Sequence, residues 1–189
     1  MLYSMFNTSV YVEELDYDYN SLRQICLDEL QVKGHDNGAH LPITPHDKLS
    51  SLVQIVVSRI NNVAKNVYKI RDEYELAPLS AWINKDTTES NAGAHAHPDS
   101  TLSAVLYISA DENSSQLKFL NPNIAQGCMF PSNIIKELNE YNTTQYSVAA
   151  QTGKLLVFPS VLHHYISTQS SDVNNNRISL AVDTVVVRK

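Results

Sequence analysis

Hydrophobic residues recur along the first part of the chain with the period of a helix. Over residues 49–67 they return every three or four positions, which predicts an amphipathic helix that starts at Asp47 or Ser50. A weaker pattern of the same period predicts an earlier helix over residues 21 to about 32 or 33, with Ser21 as its cap. These two helices form the front of the predicted fold.

From Leu79 onwards the period changes to that of strands. Short runs of β-branched, aliphatic and aromatic residues alternate with turn residues about every ten positions, which is typical of antiparallel strands in a sandwich or barrel. A short helix over Ser132–Glu140 interrupts them, and Ser9–Val12 predicts an extended segment before the first helix. The predicted strands are Leu79–Asn84, Ala94–His97, Leu102–Ser109, Gln116–Leu120, Gln145–Ala149, Lys154–Phe158, His164–Ser167 and Arg177–Val187.

The order of these elements predicts a mainly β fold with N-terminal helices, built on a double-stranded β-helix of the jelly-roll, cupin-like kind. No repeat, low-complexity tract or Pro/Gly-rich linker divides the 189 residues, 43% of which are hydrophobic. We therefore expect one domain over 1–189, with a helical front and first strand over 1–78 and the jelly-roll core over 79–189.

Charge and cysteine content exclude several classes of function. The 14 basic and 20 acidic residues give a net charge of -6, which argues against non-specific binding to nucleic acid or to an anionic membrane. Cys26 and Cys128 are too few for a disulfide framework or a four-cysteine zinc site. The sequence has neither a secretory type of N-terminus nor an apolar run of membrane-spanning length, so we expect a cytoplasmic protein.

Four of the seven histidines fall in two short patches. His95, His97 and Asp99 are spaced by two, so on an extended strand their side chains would share one face. His164 begins a later apolar strand and can supply a further ligand, whereas its neighbour His163 would face the other way. Two imidazoles and one carboxylate make the facial triad of non-haem iron(II) oxygenases, which leaves coordination positions open for catalysis.

A basic residue opens the last predicted strand. Arg177 follows His164 by 13 residues, and in a barrel its strand can lie beside the histidine strand with the guanidinium deep in the pocket. A buried arginine needs an anionic partner, and the nearest acids in sequence, Asp172 and Asp183, are not placed for direct pairing. We therefore expect an anionic small molecule to bind Arg177.

The ordered set of motifs resembles the iron(II)/2-oxoglutarate-dependent oxygenase superfamily. It is most similar to a small, poorly characterised branch found in bacteria and their phages. The resemblance runs through most of the chain and is densest over residues 79–184. It is carried by Trp82-Ile83-Asn84, by the segment from His95 to Tyr107, by Gly153–Ser160 with His164, by Arg177-Ile178-Ser179, and by the opening segment from Met5 to Tyr11.

The resemblance implies a dioxygenase that uses iron(II), dioxygen and 2-oxoglutarate as a small-molecule co-substrate. Hydroxylation of a carbon centre would release succinate and CO2. His97 and His164 match the two histidines of the triad. The other residues that match are Arg177 and Ser179 for the distal carboxylate of 2-oxoglutarate, Tyr107 for a further co-substrate contact, and Trp82 and Asn84 for the mouth of the site, where Trp82 is equally expected as a core aromatic.

The third metal ligand has two candidates. Asp99 stands in the superfamily's His-x-Asp position, and we expect it to bind because a carboxylate lowers the net charge of the centre. The His-x-His-Pro pattern of the branch instead makes His95 the ligand and leaves Asp99 outside the first coordination sphere.

Two other functions compete with the oxygenase. A cupin-like module could bind a metal or ligand without catalysis, because jelly rolls host many functions, but it has no need for a deep Arg177. A zinc hydrolase could use the same ligands with a general base close to the metal. For the oxygenase, we expect the primary substrate to be a protein side chain or a small molecule.

Overall fold

The computed structural model describes residues 8–32, 39–44, 48–86, 93–166 and 177–189. The helices within these ranges are α1 (Tyr19–Val32), α2 (Ser50–Asn66) and the single-turn α3 (Ile124–Gly127). The strands are β1 (Tyr11–Glu14), β2 (Ala39–Pro42), β3 (Tyr74–Lys85), β4 (Leu102–Ser109), β5 (Leu117–Leu120), β6 (Gln145–Val148), β7 (Lys154–Pro159), β8 (His164–Ile166) and β9 (Ile178–Arg188).

The strands form two antiparallel sheets. The large sheet has the order β1-β7-β4-β9-β3-β2, and the small sheet has the order β6-β5-β8. Neighbours in both sheets are far apart in sequence, as in a jelly roll, so residues from the middle and the end of the chain meet. The predicted fold class is thereby confirmed.

The large sheet is covered on both faces. One face packs against α1 and α2 through residues such as Ile60, Leu106 and Leu180. The other face, called here the inner face, packs through Tyr107 and other residues against Phe119 of the small sheet. This double cover explains why β4 is buried almost throughout instead of alternating with exposed residues.

Several element boundaries differ from the prediction. Asp18, not Ser21, caps α1: its carboxylate accepts hydrogen bonds from the Ser21 amide (3.2 Å) and hydroxyl (2.6 Å). Strand β2 was not predicted, and β3 starts at Tyr74 because its first residues pair with the far end of β9. The predicted helix over 132–140 is only a 3-10 turn over Ser132–Ile134.

Two predicted segments near the histidines also differ. The predicted strand Ala94–His97 is reduced to a bridge between His95 and His164. Strand β8 ends at Ile166 within the described residues, and Ser167 lies outside them. None of the described helices is long and apolar enough to cross a membrane.

Candidate functional site

Three histidines converge at one end of the inner face. Each of His95, His97 and His164 offers one ring nitrogen, and these nitrogens all lie within 4.8 Å of one another. The backbone sets this arrangement: the His95 amide donates to the His164 carbonyl (3.0 Å) and the His164 amide donates back (2.9 Å). The His97 amide donates to the Ser160 carbonyl (2.8 Å), which holds the third ring beside the other two. Such a cluster can hold a metal ion.

The second nitrogen of each ring is already engaged. The Nδ1 atoms lie 2.8 Å from the Gly93 carbonyl for His95, 2.6 Å from a carboxylate oxygen of Asp183 for His97, and 2.8 Å from the Leu162 carbonyl for His164. Carbonyl and carboxylate oxygens only accept, so each Nδ1 carries a proton and each Nε2 is the nitrogen left for a metal. The rings are therefore in the tautomer that binds a metal through Nε2.

The protonation state of His164 is also suited to metal binding. Burial lowers the pKa of His164 to about 4, and the neighbouring rings of His95 and His97 act in the same direction. The imidazole is therefore neutral, with its lone pair available, at neutral pH. Three imidazole ligands suit a divalent transition metal such as iron and leave further coordination positions open.

Asp99 is not part of the cluster. The Ser100 amide donates to the His97 carbonyl (3.1 Å), which closes a turn and ends the extended backbone after His97. The side-chain alternation that would place residues 95, 97 and 99 on one face therefore stops at His97, and Asp99 is exposed. Of the two candidates for the third ligand, the structure brings His95 to the other histidines.

Arg177 has an internal acidic partner, so a small molecule is not needed to balance its charge. Arg177 is 1% exposed, and its Nη1 donates to the carboxylate of the equally buried Asp86 at 2.5 Å. The antiparallel pairing of β3 with β9 brings the two together, and the Asp86 amide also donates to the Arg177 carbonyl (3.0 Å). Asp86 was not considered as the partner of Arg177 because the two residues are 91 positions apart in the sequence.

Two buried hydroxyls lie beside this ion pair. Tyr107 of β4, Ser179 of β9 and Asn84 of β3 are opposite one another in the large sheet, so their side chains share the inner face. Neither the Tyr107 hydroxyl nor the Ser179 hydroxyl makes a hydrogen bond of standard geometry with a described residue. Enclosed hydroxyls without an acceptor are costly, so this pair is suited to a ligand that brings one.

The electrostatics around Tyr107 favour its neutral form. Its ring lies 5.1 Å from the guanidinium of Arg177, a cation–π distance. Burial raises the pKa of Tyr107, although the charge of Arg177 acts against this. The phenol therefore keeps its proton and can donate it to a bound anion.

The histidine cluster and the Arg177–Asp86 pair lie at the two ends of one wall, which is formed by the inward-facing residues of β9. Ser179, Ala181 and Asp183 alternate along β9 and face inwards, and four residues of strand span about 13 Å. Trp82 is paired with Ala181, the small residue between the two ends, and its ring lies 5.8 Å from that of His97. Apart from Asp99, the structure thus gathers the predicted site residues along this wall.

Sequence reasoning missed two acidic residues of this site, Asp86 and Asp183. Both are buried. Asp183 interrupts an otherwise apolar strand and lies an even number of residues from Ser179, which was a usable signal. Asp86 had no comparable signal, because it stands at a strand end among other polar residues.

Comparisons with known proteins identify the family to which this chain belongs. The sequence profile of a family of 2OG-Fe(II) oxygenases matches residues 80–183, more than half of the chain. No curated protein matches the sequence.

Solved structures show the same fold at low identity. A prolyl-4-hydroxylase from Pseudomonas putida is 12% identical over 94% of this chain and 92% of that one, with a TM-score of 0.62. HygX from Streptomyces hygroscopicus, solved with nickel and 2-oxoglutarate bound, is 12% identical over 94% and 82%, with a TM-score of 0.65. The viral collagen prolyl hydroxylase of Paramecium Bursaria Chlorella virus-1, a 2OG complex, is 8% identical over 92% and 94%, with a TM-score of 0.57. With the profile match, the chain belongs to the family of 2OG-Fe(II) oxygenases.

Proposed function

We propose that this chain is an iron(II)- and 2-oxoglutarate-dependent dioxygenase that hydroxylates a carbon centre and releases succinate and CO2. One observation carries the proposal. Three imidazoles with their Nδ1 protons already engaged lie at one end of a wall whose other end holds two buried hydroxyls without acceptors. The first end suits a redox-active metal and the second suits a carboxylate.

His95, His97 and His164 would hold the iron through Nε2. Iron bound there supplies the redox chemistry, in which activation of dioxygen is coupled to oxidative decarboxylation of 2-oxoglutarate. The chain contributes the orientation of the ligands, because the Nδ1 acceptors prevent each ring from rotating. In this proposal His95 takes the place in the coordination sphere that the sequence offered first to Asp99.

The hydroxyls of Ser179 and Tyr107 would donate to the distal carboxylate of 2-oxoglutarate. The positively charged Arg177 lies against Tyr107. The negative charge of Asp86 balances it, so the Arg177–Asp86 pair is neutral overall. The two hydroxyls therefore carry more of the recognition than they would beside an unpaired arginine. Enclosure strengthens these hydrogen bonds, since water does not compete for a side chain such as Ser179 that is 0% exposed.

The substrate would enter past Trp82 and Asn84, which are half-buried on the strand next to β9. A protein side chain and a small molecule both remain in the proposed class. Solved structures of the same fold include the carbocyclase SnoK and the epimerase SnoN of nogalamycin biosynthesis as well as prolyl hydroxylases. Hydroxylation is therefore proposed separately from the family assignment. The family match does not favour the alternative of a cupin-like module without catalysis.

Succinate production tests the proposal. The purified protein is incubated with iron(II), ascorbate and 2-oxoglutarate, and succinate is measured for the wild type and for two variants, His95→Ala and Asp99→Ala. We expect succinate from the wild type, near-complete loss with His95→Ala, and little change with Asp99→Ala, because Asp99 is exposed outside the cluster. Wild-type protein that binds neither iron nor 2-oxoglutarate would overturn the proposal, and loss of activity only with Asp99→Ala would return the ligand role to that residue.

A further inference from the structure

A buried carboxylate is in direct contact with one of the three histidines. Asp183 is 6% exposed, and its Oδ2 accepts the Nδ1 proton of His97 at 2.6 Å. Its other oxygen accepts the hydroxyl proton of Ser103 at 2.6 Å. Ser103 has a single hydroxyl proton, so the Ser160 hydroxyl, 2.8 Å away, donates to Ser103 in turn. The carboxylate is thus held in place from both sides.

The three histidines differ in this contact. His95 and His164 donate to neutral backbone carbonyls at 2.8 Å, whereas His97 donates to a carboxylate at the shorter distance of 2.6 Å. Hydrogen bonds to an ionised acceptor are shorter and stronger than those to a neutral one. Of the three rings, His97 is therefore the one that is hydrogen-bonded to a negatively charged group.

The charge of the ligand set explains why such a contact matters. Two histidines and one carboxylate bring one negative charge to an iron(II) ion, whereas three neutral imidazoles bring none. His97 stands two residues after His95, at the spacing at which a His-x-Asp pair would place its carboxylate. With Asp183 behind His97, the sum of charges around the metal is the same as in the two-histidine, one-carboxylate arrangement.

We infer that Asp183 is a positioning residue that supplies, through His97, the negative charge that a ligating carboxylate supplies in the facial triad. The inference rests on the proposed function, because it requires a metal at the three histidines. Asp183 fixes the ring of His97 with Nε2 towards the metal and makes that nitrogen a stronger donor. The Ser103–Ser160 pair keeps the carboxylate in line with the ring.

Cobalt(II) binding by two matched variants tests this inference. Asp183→Asn keeps the size of the side chain and an oxygen that can accept from His97, but it removes the charge. Asp99→Asn removes the same charge from an exposed residue two positions after His97. Titration calorimetry of the metal-free proteins with cobalt(II) is expected to show a 10- to 100-fold higher Kd, in the range found for such outer-sphere changes, for Asp183→Asn only.

A second, spectroscopic measurement tests the same inference on the wild type, so its main result does not depend on how a variant folds. In the zinc(II)-loaded protein, the Nδ1 protons of the three histidines are observed by proton–nitrogen NMR. The His97 resonance is expected furthest downfield, because its proton alone is shared with a carboxylate. In Asp183→Asn it is expected to move upfield to the position of the other two.

The outcomes separate this inference from the proposed function. If the wild type binds no cobalt(II), or if His95→Ala and His164→Ala bind it normally, the three-histidine site is wrong and the role of Asp183 falls with it. If those variants lose the metal while folded Asp183→Asn binds within twofold of the wild type, only the role of Asp183 is overturned. Equal weakening by Asp99→Asn, or a His97 resonance no further downfield than those of His95 and His164, would overturn it as well.

Discussion

Replacing Ser179 by alanine should change stability and co-substrate affinity in opposite directions. The Ser179 side chain is 0% exposed and its hydroxyl has no partner among the described residues. A buried hydroxyl without a partner costs about 1–3 kcal/mol, so its removal relieves part of a penalty that the ligand-free protein carries. Ordinary polar-to-alanine changes in a core weaken folding, so the expected sign is unusual.

The expected changes in stability and in affinity are worked out separately for the ligand-free protein and for its complex with 2-oxoglutarate. Without ligand, Ser179→Ala should raise the free energy of unfolding by about 1 kcal/mol, which corresponds to roughly 2–4 °C in Tm for a chain of this size. With 2-oxoglutarate, the variant lacks a hydrogen bond to a charged carboxylate worth about 1.5–3 kcal/mol. That loss corresponds to a Kd higher by roughly 10- to 150-fold.

Two measurements and one control variant check this prediction. Thermal unfolding gives the stability of the metal-free protein, and calorimetric titration of 2-oxoglutarate into the manganese(II)-loaded protein gives the affinity without turnover. Thr184→Val removes a hydroxyl that does have a partner, since Thr184 donates to the Leu102 carbonyl at 2.7 Å. It should lower stability by about 1 kcal/mol and leave the affinity unchanged. If Ser179→Ala lowers the Tm as Thr184→Val does, or binds 2-oxoglutarate as tightly as the wild type, the assignment of this hydroxyl to a ligand is refuted.

Two further predictions concern the ion pair and the thiols. Asp86→Asn removes the carboxylate that pairs with buried Arg177 and should destabilise the ligand-free protein by about 3–5 kcal/mol. Added 2-oxoglutarate should raise the Tm of this variant more than that of the wild type, because the ligand brings a carboxylate close to Arg177. An equal rise in both proteins would contradict this expectation. Native protein should react with one equivalent of a thiol reagent, at exposed Cys128, and with a second only after denaturation, because Cys26 is buried and burial raises its pKa to about 12. Rapid reaction of both thiols under native conditions would contradict the packing of α1.

Local periodicity was sufficient to predict the fold but not every contact of the site. The apolar repeat of α2 and the short apolar runs that became β4 and β7 indicate burial directly, and the structure confirms them. The extrapolation from His97 to Asp99 did not hold, because it assumed that an extended backbone continues where a turn begins. Periodicity carries no information about such a local break.

Contacts between distant strands and loops could not be predicted from the sequence for a different reason. Asp86 and Asp183 reach Arg177 and His97 only through the pairing of distant strands and the convergence of loops. A single sequence does not contain that register. The resemblance to known oxygenases named the histidines and the arginine, but the partners that orient them became visible only in three dimensions.

A crystal structure with iron(II) and 2-oxoglutarate, solved without oxygen and with anomalous scattering at the iron edge, tests the central assignment most directly. We expect one strong anomalous peak at about 2.0–2.1 Å from Nε2 of each of His95, His97 and His164, a distance typical of imidazole on zinc(II). We also expect the distal carboxylate of the ligand beside the hydroxyls of Ser179 and Tyr107. A peak coordinated by Asp99 in place of His95, or no peak among the three histidines, would contradict it.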